Sequence, residues 1–216
     1  MASRATLLPL FLFLLVAPAP ALATSGTIVF TTLGRSRYAF DVFALPIAPL
    51  SAASAELRLT DGASVNYNGN FAPSSSGPPS LLFVSERNGS LNLYLTPVPT
   101  SASARRRDAL EEEEEDESAP PTPLLPWDPI ALKDRPSLTP DGAHLVYVST
   151  AEPAGAPRRS WAAVYSTSLA PGGATRRLTP RGVADFSPAV SPSGVWTAAA
   201  SPGPRGWAGE VEDLRT

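Results

Sequence analysis

The sequence predicts an all-β fold made of short, repeated strands, and three observations support this prediction. Turn-forming residues are abundant, since 25 Pro and 15 Gly occur among 216 residues, and this disfavours long helices. Runs of β-branched and aromatic residues, closed by turn residues, recur roughly every ten positions. No segment after residue 23 has the apolar spacing of a helix. With 43% hydrophobic residues, the chain can form a buried core.

The predicted strands are apolar runs that alternate with turn residues. They cover residues 27–32, 40–45, 81–84, 91–95, 145–148, 162–167 and, more weakly, 195–201. Asn88 and Gly89 lie between the third and fourth of these runs. Because both residue types tolerate positive φ, they predict a hairpin with a two-residue turn.

The chain contains an internal repeat with two elements. The first is a turn with an apolar residue, a small residue and Pro, in that order. Either Ser or Asp follows the Pro, and Gly comes after it. An apolar run that ends in Ser follows the turn. Its three copies place Pro at 73, 140 and 192 and the final Ser at 85, 149 and 201. The second element, Arg-Leu-Thr, occupies 58–60 and 177–179 and precedes the first and third turns. Two elements in the same order indicate a structural repeat.

The spacing of the repeat predicts a β-propeller. Pro73 and Pro140 are 67 residues apart, and removing the 28 residues of the acidic segment 99–126 leaves 39, close to the roughly 40 to 50 residues of a four-stranded blade. We therefore predict a β-propeller-like array in which the first strand of each blade ends at the Pro turn, the second ends in Ser and the fourth carries Arg-Leu-Thr. About three and a half blades are present, so we expect an incomplete propeller. A β-sandwich is the alternative.

Residues 1–23 have the features of a secretory signal peptide. Arg4 supplies a positive charge, residues 7–16 form an apolar run, and Ala21-Leu22-Ala23 is a cleavage sequence, so we expect the mature chain to begin at Thr24. The alternative is a membrane anchor, but the apolar run is about half the length that spans a bilayer. No later segment is apolar enough to span one, so we expect a secreted, extracellular protein.

The acidic segment divides the chain into domains. Residues 24–98 and 127–216 carry the blades, and residues 99–126 hold three consecutive Arg at 105–107 followed by seven consecutive acids at 111–117. Charge of this density favours a solvated, disordered, low-complexity insertion. Binding of a partner or a cation, and proteolysis after Arg107, are the alternatives.

Composition excludes several function classes. The absence of Cys and the presence of a single His, His144, exclude thiol catalysis and the common zinc sites. A net charge of -3 disfavours nucleic-acid binding. The sequence contains no Gly-x-Ser-x-Gly motif and no glycine-rich nucleotide loop. We therefore predict no catalytic, cofactor-binding or metal-binding residues, expect a protein that is not an enzyme, and place His144 at the exposed start of a strand.

Two further features concern the surface. Trp127, Trp161, Trp196 and Trp207 are expected to fill the interfaces between blades, and the alternative is that they stack on sugars. Asn88-Gly89-Ser90 is an N-glycosylation sequon, so Asn88 is the predicted glycosylation site.

The repeat also carries a family resemblance. The residues concerned are 59–60, 71–77, 81–85, Arg87 and 92–94. They resemble the TolB-type propeller repeat, in which Leu-Thr precedes a Ser-Pro-Asp-Gly turn, a strand, Ser-x-Arg and an Asn-apolar-Tyr strand. Residues 74–76 depart from this pattern, because Ser replaces Asp and the turn is longer. The chain is also similar to secreted plant proteins that resemble TolB and the amino-terminal propeller of dipeptidyl peptidases.

The resemblance implies a fold rather than an activity. We expect a secreted, non-catalytic module that binds a protein or an extracellular or cell-wall glycan, and that self-associates through open blade edges. The alternative is a truncated accessory propeller that gates a prolyl-oligopeptidase-type or dipeptidyl-peptidase-type serine peptidase, with the catalytic domain absent from this sequence.

Overall fold

A computed structural model describes nine stretches of the chain. They are residues 26–33, 40–47, 56–73, 79–98, 120–128, 131–151, 162–180, 184–203 and 206–213. The predicted signal segment 1–23 and residues 99–119 of the predicted acidic insertion lie outside the described residues.

The described residues form fourteen strands and no helix. The strands are β1 Gly26–Leu33, β2 Phe40–Ile47, β3 Leu57–Arg58, β4 Asn66–Ala72, β5 Ser80–Ser85, β6 Asn92–Pro97, β7 Thr122–Pro123, β8 Lys133–Leu138, β9 His144–Ser149, β10 Ala163–Ser168, β11 Thr175–Arg177, β12 Phe186–Val190, β13 Trp196–Gly203 and β14 Gly206–Asp213. Every strand predicted from the sequence lies in or overlaps one of them. Within the described stretches, no helix is long and apolar enough to cross a membrane.

The strands form four antiparallel sheets in chain order. Sheet 1 is β1-β2-β3, sheet 2 is β4-β5-β6-β7, sheet 3 is β8-β9-β10-β11 and sheet 4 is β12-β13-β14. Each strand pairs with the next one along the chain, as in a propeller blade. Arg58 and Arg177 end the last strands of sheets 1 and 3, where Arg-Leu-Thr was expected. The predicted fold class, an incomplete array of four-stranded blades, is confirmed.

The Pro-containing turns join the first and second strands of sheets 3 and 4. The Gly142 amide donates to the Thr139 carbonyl at 2.8 Å, and the Gly194 amide donates to the Ser191 carbonyl at 2.9 Å. Both glycines have positive φ, 69° and 71°, which is why this turn requires Gly. The corresponding turn of sheet 2, at 74–78, lies outside the described residues.

The core lies between neighbouring sheets rather than on one side of them. Three clusters of buried side chains fill the contacts between sheets 1 and 2, 2 and 3, and 3 and 4. Because sheets 2 and 3 have a neighbour on each face, residues 81–85 of β5 and 145–149 of β9 are buried without alternation. This explains why the second strands are continuously apolar in the sequence.

The end of the predicted insertion is part of sheet 2. β7 pairs with β6, and the Leu124 amide donates to the Leu93 carbonyl at 2.9 Å. Leu125 is buried in the core between sheets 2 and 3. The blade therefore resumes by Thr122 rather than at Trp127, and Leu124 and Leu125, which follow β7 directly, continue its attachment to β6 and to the core.

The hairpin around Asn88 is confirmed, but its turn differs from the prediction. Ser85 pairs with Asn92, so six residues connect β5 and β6. The Gly89 amide donates to the Glu86 carbonyl at 2.7 Å, and Gly89 has a φ of 82° whereas Asn88 is not in the positive-φ region. The expected two-residue turn is wrong because the pairing stops at Ser85, whose hydroxyl accepts from the Arg87 amide at 3.3 Å.

A polar residue is buried at the same position before each Pro turn. Asn66, Lys133 and Asp185 are each at most 1% exposed and lie seven residues before Pro73, Pro140 and Pro192. Asn66 Nδ2 donates to Asp61 Oδ1 at 2.9 Å, and Lys133 Nζ donates to the Ala131 carbonyl at 2.8 Å. Among the residues that the structure describes, the Asp185 carboxylate has no hydrogen-bond partner. Sequence reasoning missed this position because its residue type changes from blade to blade.

Candidate functional site

The first strands of sheets 2, 3 and 4 share a local irregularity. In each of them the pairing with the second strand shifts register at a β-bulge. One residue of each bulge has positive φ: Asn68 at 51°, Arg135 at 47° and Ser187 at 50°. All three lie five residues before the turn proline, so the irregularity is part of the repeat.

These conformations are costly for two of the three residues. Asn tolerates the left-handed region, whereas Arg and Ser rarely occupy it, and such strain costs about 1–3 kcal/mol per residue. Strained backbone of this kind persists where the surrounding structure enforces it, and it concentrates at binding sites. The bulges therefore mark the first strands as a candidate functional surface.

Polar side chains connect these strands across the contact between sheets 2 and 3. Asn68 Nδ2 donates to Asp134 Oδ1 at 2.6 Å, and Asn70 Nδ2 donates to the Pro136 carbonyl at 3.3 Å. Asp134 Oδ1 also accepts from the Arg135 amide at 2.7 Å. Asn70 and Arg135 are exposed. The Asp134 carboxylate is thus held by the Asn68 side chain and by the backbone of the exposed Arg135.

We call Asn68, Asn70, Asp134, Arg135 and Ser187 the first-strand surface. The Asn68 and Asp134 side chains are half-buried, and Ser187 is exposed like Asn70 and Arg135. The surface offers amide, carboxylate, guanidinium and hydroxyl groups to a ligand. These groups favour hydrogen bonding and charge pairing with a polar partner.

Tyr67 lies next to this surface and reports its electrostatics. Burial raises the pKa of Tyr67 to about 12, with further contributions from the charges of Asp134 and Glu86, while Arg135 opposes the shift. The phenol therefore stays protonated at neutral pH and can donate a hydrogen bond.

His144 is the exposed first residue of β9, as predicted from the sequence. Its backbone amide donates to the Thr139 hydroxyl at 3.0 Å. Across the described stretches, no group of three His, Asp or Glu side chains is placed to hold a metal ion.

Asn88, the predicted glycosylation site, is exposed in the loop between β5 and β6. Burial raises the pKa of Tyr94, and the charge of Arg87 and a hydrogen bond with the Asn88 side chain partly oppose this shift. Ser90, the third residue of the sequon, is half-buried. Modification of Asn88 remains a prediction.

The tryptophans do not fill the interfaces where they can be located. Trp127 is 61% exposed in the connection from β7 to β8, and Trp196 is 45% exposed at the start of β13. The expectation that they fill interfaces is wrong for these two, because aliphatic and tyrosine side chains occupy the cores between sheets. Trp161 and the side chain of Trp207 lie outside the described residues.

Trp127 and Trp196, the tryptophans whose side chains the structure describes, do not form a sugar-stacking platform together. Trp127 lies in a connection that leads into the first strand of sheet 3, whereas Trp196 follows the turn that ends the first strand of sheet 4. These two types of connection lie at opposite ends of the sheets, since consecutive strands are antiparallel. The two rings therefore do not form one surface.

Two solved structures share this arrangement of sheets. TolB from Acinetobacter baumannii matches with a TM-score of 0.57 and 16% identity over 87% of this chain and 38% of its own. A protein described as TolB from Agrobacterium tumefaciens matches with a TM-score of 0.56 and 15% identity over 87% of this chain and 57% of its own. The fold is similar to that of TolB-type propellers.

The likeness is structural. A puromycin-hydrolysing peptidase from Mycobacterium tuberculosis also matches, with a TM-score of 0.48 and 15% identity over 88% of this chain and 28% of its own. This chain spans 38% and 57% of the length of the two TolB-type proteins. No protein-family model and no curated protein matches the sequence.

Proposed function

We propose that this chain is a non-catalytic binding module that holds a polypeptide partner on the first-strand surface. The observation that carries the proposal is the recurrence of a left-handed bulge residue at Asn68, Arg135 and Ser187 on three successive first strands. The strain is repeated although the residue type is not, and this supports a role for the surface itself. Asp134, whose carboxylate accepts from the bulge backbone, and the exposed Arg135 that follows it offer both charges to a peptide.

A polypeptide is favoured over a glycan. Sugar-binding surfaces use aromatic faces together with hydrogen-bonding groups, and the two exposed tryptophans lie at opposite ends of the sheets. The first-strand surface is instead polar and charged, which suits backbone amides and charged side chains.

Selection of peptides from a displayed library on the purified protein tests this function. We expect Arg135→Glu to lower the binding affinity for the selected peptides about tenfold or more, which corresponds to about 1.4 kcal/mol. Arg176→Glu is the matched control, because Arg176 is exposed on the outermost strand of sheet 3. Equal loss in both variants, or glycan binding that depends on Trp127, would contradict the proposal.

We also propose that the module works outside the cell. The support is the charged, apolar and cleavage segments of residues 1–23. Expression in a eukaryotic secretory system should release a protein whose amino-terminal residue is Thr24. Retention in the cell with Met1 intact would contradict this part of the proposal.

A further inference from the structure

An aromatic pair recurs at the same register position in three of the four sheets. In each sheet the two rings come from directly opposite residues of neighbouring strands. The pairs are Phe30–Phe43, Phe83–Tyr94 and Tyr147–Tyr165, with ring centroids 5.9, 6.0 and 6.1 Å apart. The repeat thus places an aromatic pair on one particular face of sheets 1, 2 and 3.

In sheets 2 and 3 this aromatic face packs on the preceding sheet. The face that receives it is aliphatic in both cases. One cluster joins Phe83 and Tyr94 of sheet 2 to Val42 and Ala44 of sheet 1, and another joins Tyr147 and Tyr165 of sheet 3 to Leu82, Val84 and Leu93 of sheet 2. Sheets 1 and 2, and likewise sheets 2 and 3, therefore meet through an aromatic face on one side and an aliphatic face on the other.

The aromatic face of sheet 1 has no preceding sheet within the described residues. Phe30 and Phe43 lie on it, together with Ile28 and Leu45, which pair with each other in the register. Ile28 is 49% exposed, and the other three side chains are half-buried. The aromatic face is therefore buried in sheets 2 and 3 but partly open to solvent in sheet 1.

Sheet 4 presents the complementary face. Alternate residues of β13, including Ala199, face sheet 3, and Ala199 packs with Val146 and Val164. The intervening residues face away from sheet 3: Trp196 and Ala198 are exposed and Ala200 is half-buried. Ala198 and Ala200 resemble the small and aliphatic Val42 and Ala44 that receive an aromatic pair inside the chain, and Trp196 lies at the end of the same face.

We propose that two copies of the chain pair head to tail, with the Ala198 and Ala200 face of sheet 4 in one copy receiving the Phe30–Phe43 pair of the other. The contact repeats a packing that is present twice within the chain, between sheets 1 and 2 and between sheets 2 and 3. In the proposed pair, two such contacts join eight sheets, and known propellers have four to eight blades. The contact is heterologous, because different surfaces of the two copies meet. This pairing is independent of the proposed binding function.

Light scattering coupled to size exclusion of the full chain tests the pairing. We expect twice the single-chain mass for the wild type. Phe30→Asp and Ala198→Asp should each give single chains, because each variant damages both contacts of a symmetric pair. A mixture of the two variants should restore pairs, since the Ala198 face of the Phe30→Asp chain meets the intact Phe30–Phe43 pair of the Ala198→Asp chain.

Two controls keep the result decisive. Leu132→Asp changes a residue that is also 49% exposed but lies in the connection from β7 to β8, and it should leave the pair intact. Ile28→Asp replaces Phe30→Asp if the latter does not fold. A single-chain mass for the wild type, dissociation by only one of the two face variants, or failure of the folded variants to pair when mixed would overturn the proposal.

Discussion

The Thr179 hydroxyl accepts a hydrogen bond from the backbone amide of Val164 at 3.1 Å. In the same way, the Thr60 hydroxyl accepts a hydrogen bond from the backbone amide of Val42 at 3.0 Å. In both sheets the preceding Leu donates its own amide to the carbonyl of the same Val. The Leu-Thr element of the repeat therefore attaches the fourth strand of a blade to the third.

Sheet 2 shows what happens when the Thr is missing. Leu125 occupies its place, and the amide of Leu93 donates instead to the Asn92 carboxamide oxygen at 2.8 Å. Leu124 still donates to the Leu93 carbonyl. A buried amide without an acceptor destabilises a protein. This blade can therefore lack the Thr because Asn92 supplies the acceptor.

Substitution of the two threonines should therefore destabilise the protein to different extents. Thr179→Val leaves the buried Val164 amide without its acceptor and should cost about 1–3 kcal/mol. Thr60→Val should cost more, because the Thr60 hydroxyl also donates to Asp41 Oδ1 at 2.7 Å. Urea unfolding of both variants measures the difference, and a larger loss for Thr179→Val would contradict this account.

The two Pro-turn glycines provide a matched pair for backbone strain. Gly142→Ala and Gly194→Ala both force Ala into the left-handed region, which costs about 1–2 kcal/mol. A Cβ at Gly194 would also lie 3.0 Å from Pro140 Cδ, whereas none of the surrounding atoms lies within 4 Å of a Cβ at Gly142. Gly194→Ala should therefore lower the melting temperature further than Gly142→Ala. Equal losses would show that the turns of sheets 3 and 4 are not in contact.

The sequence predicted the parts of the fold that depend on residue type. The turns at Pro140 and Pro192 require Pro and Gly at fixed positions, so the residue types predict them. Leu-Thr recurs because the Thr hydroxyl bonds to the neighbouring strand. The outer strand at Thr122 was missed because its two residues follow a long acidic segment and form only one short pairing with β6.

The candidate site was harder to predict for a physical reason. The left-handed bulge residue is Asn in sheet 2, which tolerates this conformation, but Arg135 and Ser187 have no such preference. Local propensity therefore does not predict their conformation. The only sequence signal was Asn68-Gly69, and nothing distinguished it from an ordinary turn.

The titration of Tyr67 tests the geometry of the first-strand surface. Its pKa is raised from 10.0 to about 12, first by burial and then by the Asp134 charge. Asp134→Asn should lower this pKa, and Arg135→Ala should raise it, in absorbance titrations from which the Tyr67→Phe signal is subtracted. If Tyr67 had the same pKa in all variants, its phenol would not lie close to the charges of Asp134 and Arg135.

The same shift makes stability depend on alkaline pH. The native state keeps Tyr67 protonated above pH 10, whereas the unfolded chain loses the proton. The contribution of Tyr67 to the free energy of unfolding is therefore complete below pH 10 and falls as pH rises towards about 12. Tyr67→Phe should show a smaller fall over this range.

Secretory expression should modify Asn88. The Asn88 side chain is exposed, although it bonds to Tyr94. We expect a mobility shift that an N-glycosidase removes, and its loss in both Asn88→Gln and Ser90→Ala. Asn70→Gln, at an exposed Asn outside any sequon, is the control. A shift that survives Asn88→Gln would contradict the assignment.

In sheets 2 and 3, the aromatic pair packs on the aliphatic face of the preceding sheet, and this packing joins the blades. Nuclear Overhauser effects between side-chain protons measure it most directly. We expect cross-peaks from the Phe83 and Tyr94 rings to the methyl groups of Val42 and Ala44, because all four side chains belong to one buried cluster. Cross-peaks between the two rings without any to Val42 or Ala44 would show that sheets 1 and 2 do not pack in this way, and would contradict the account.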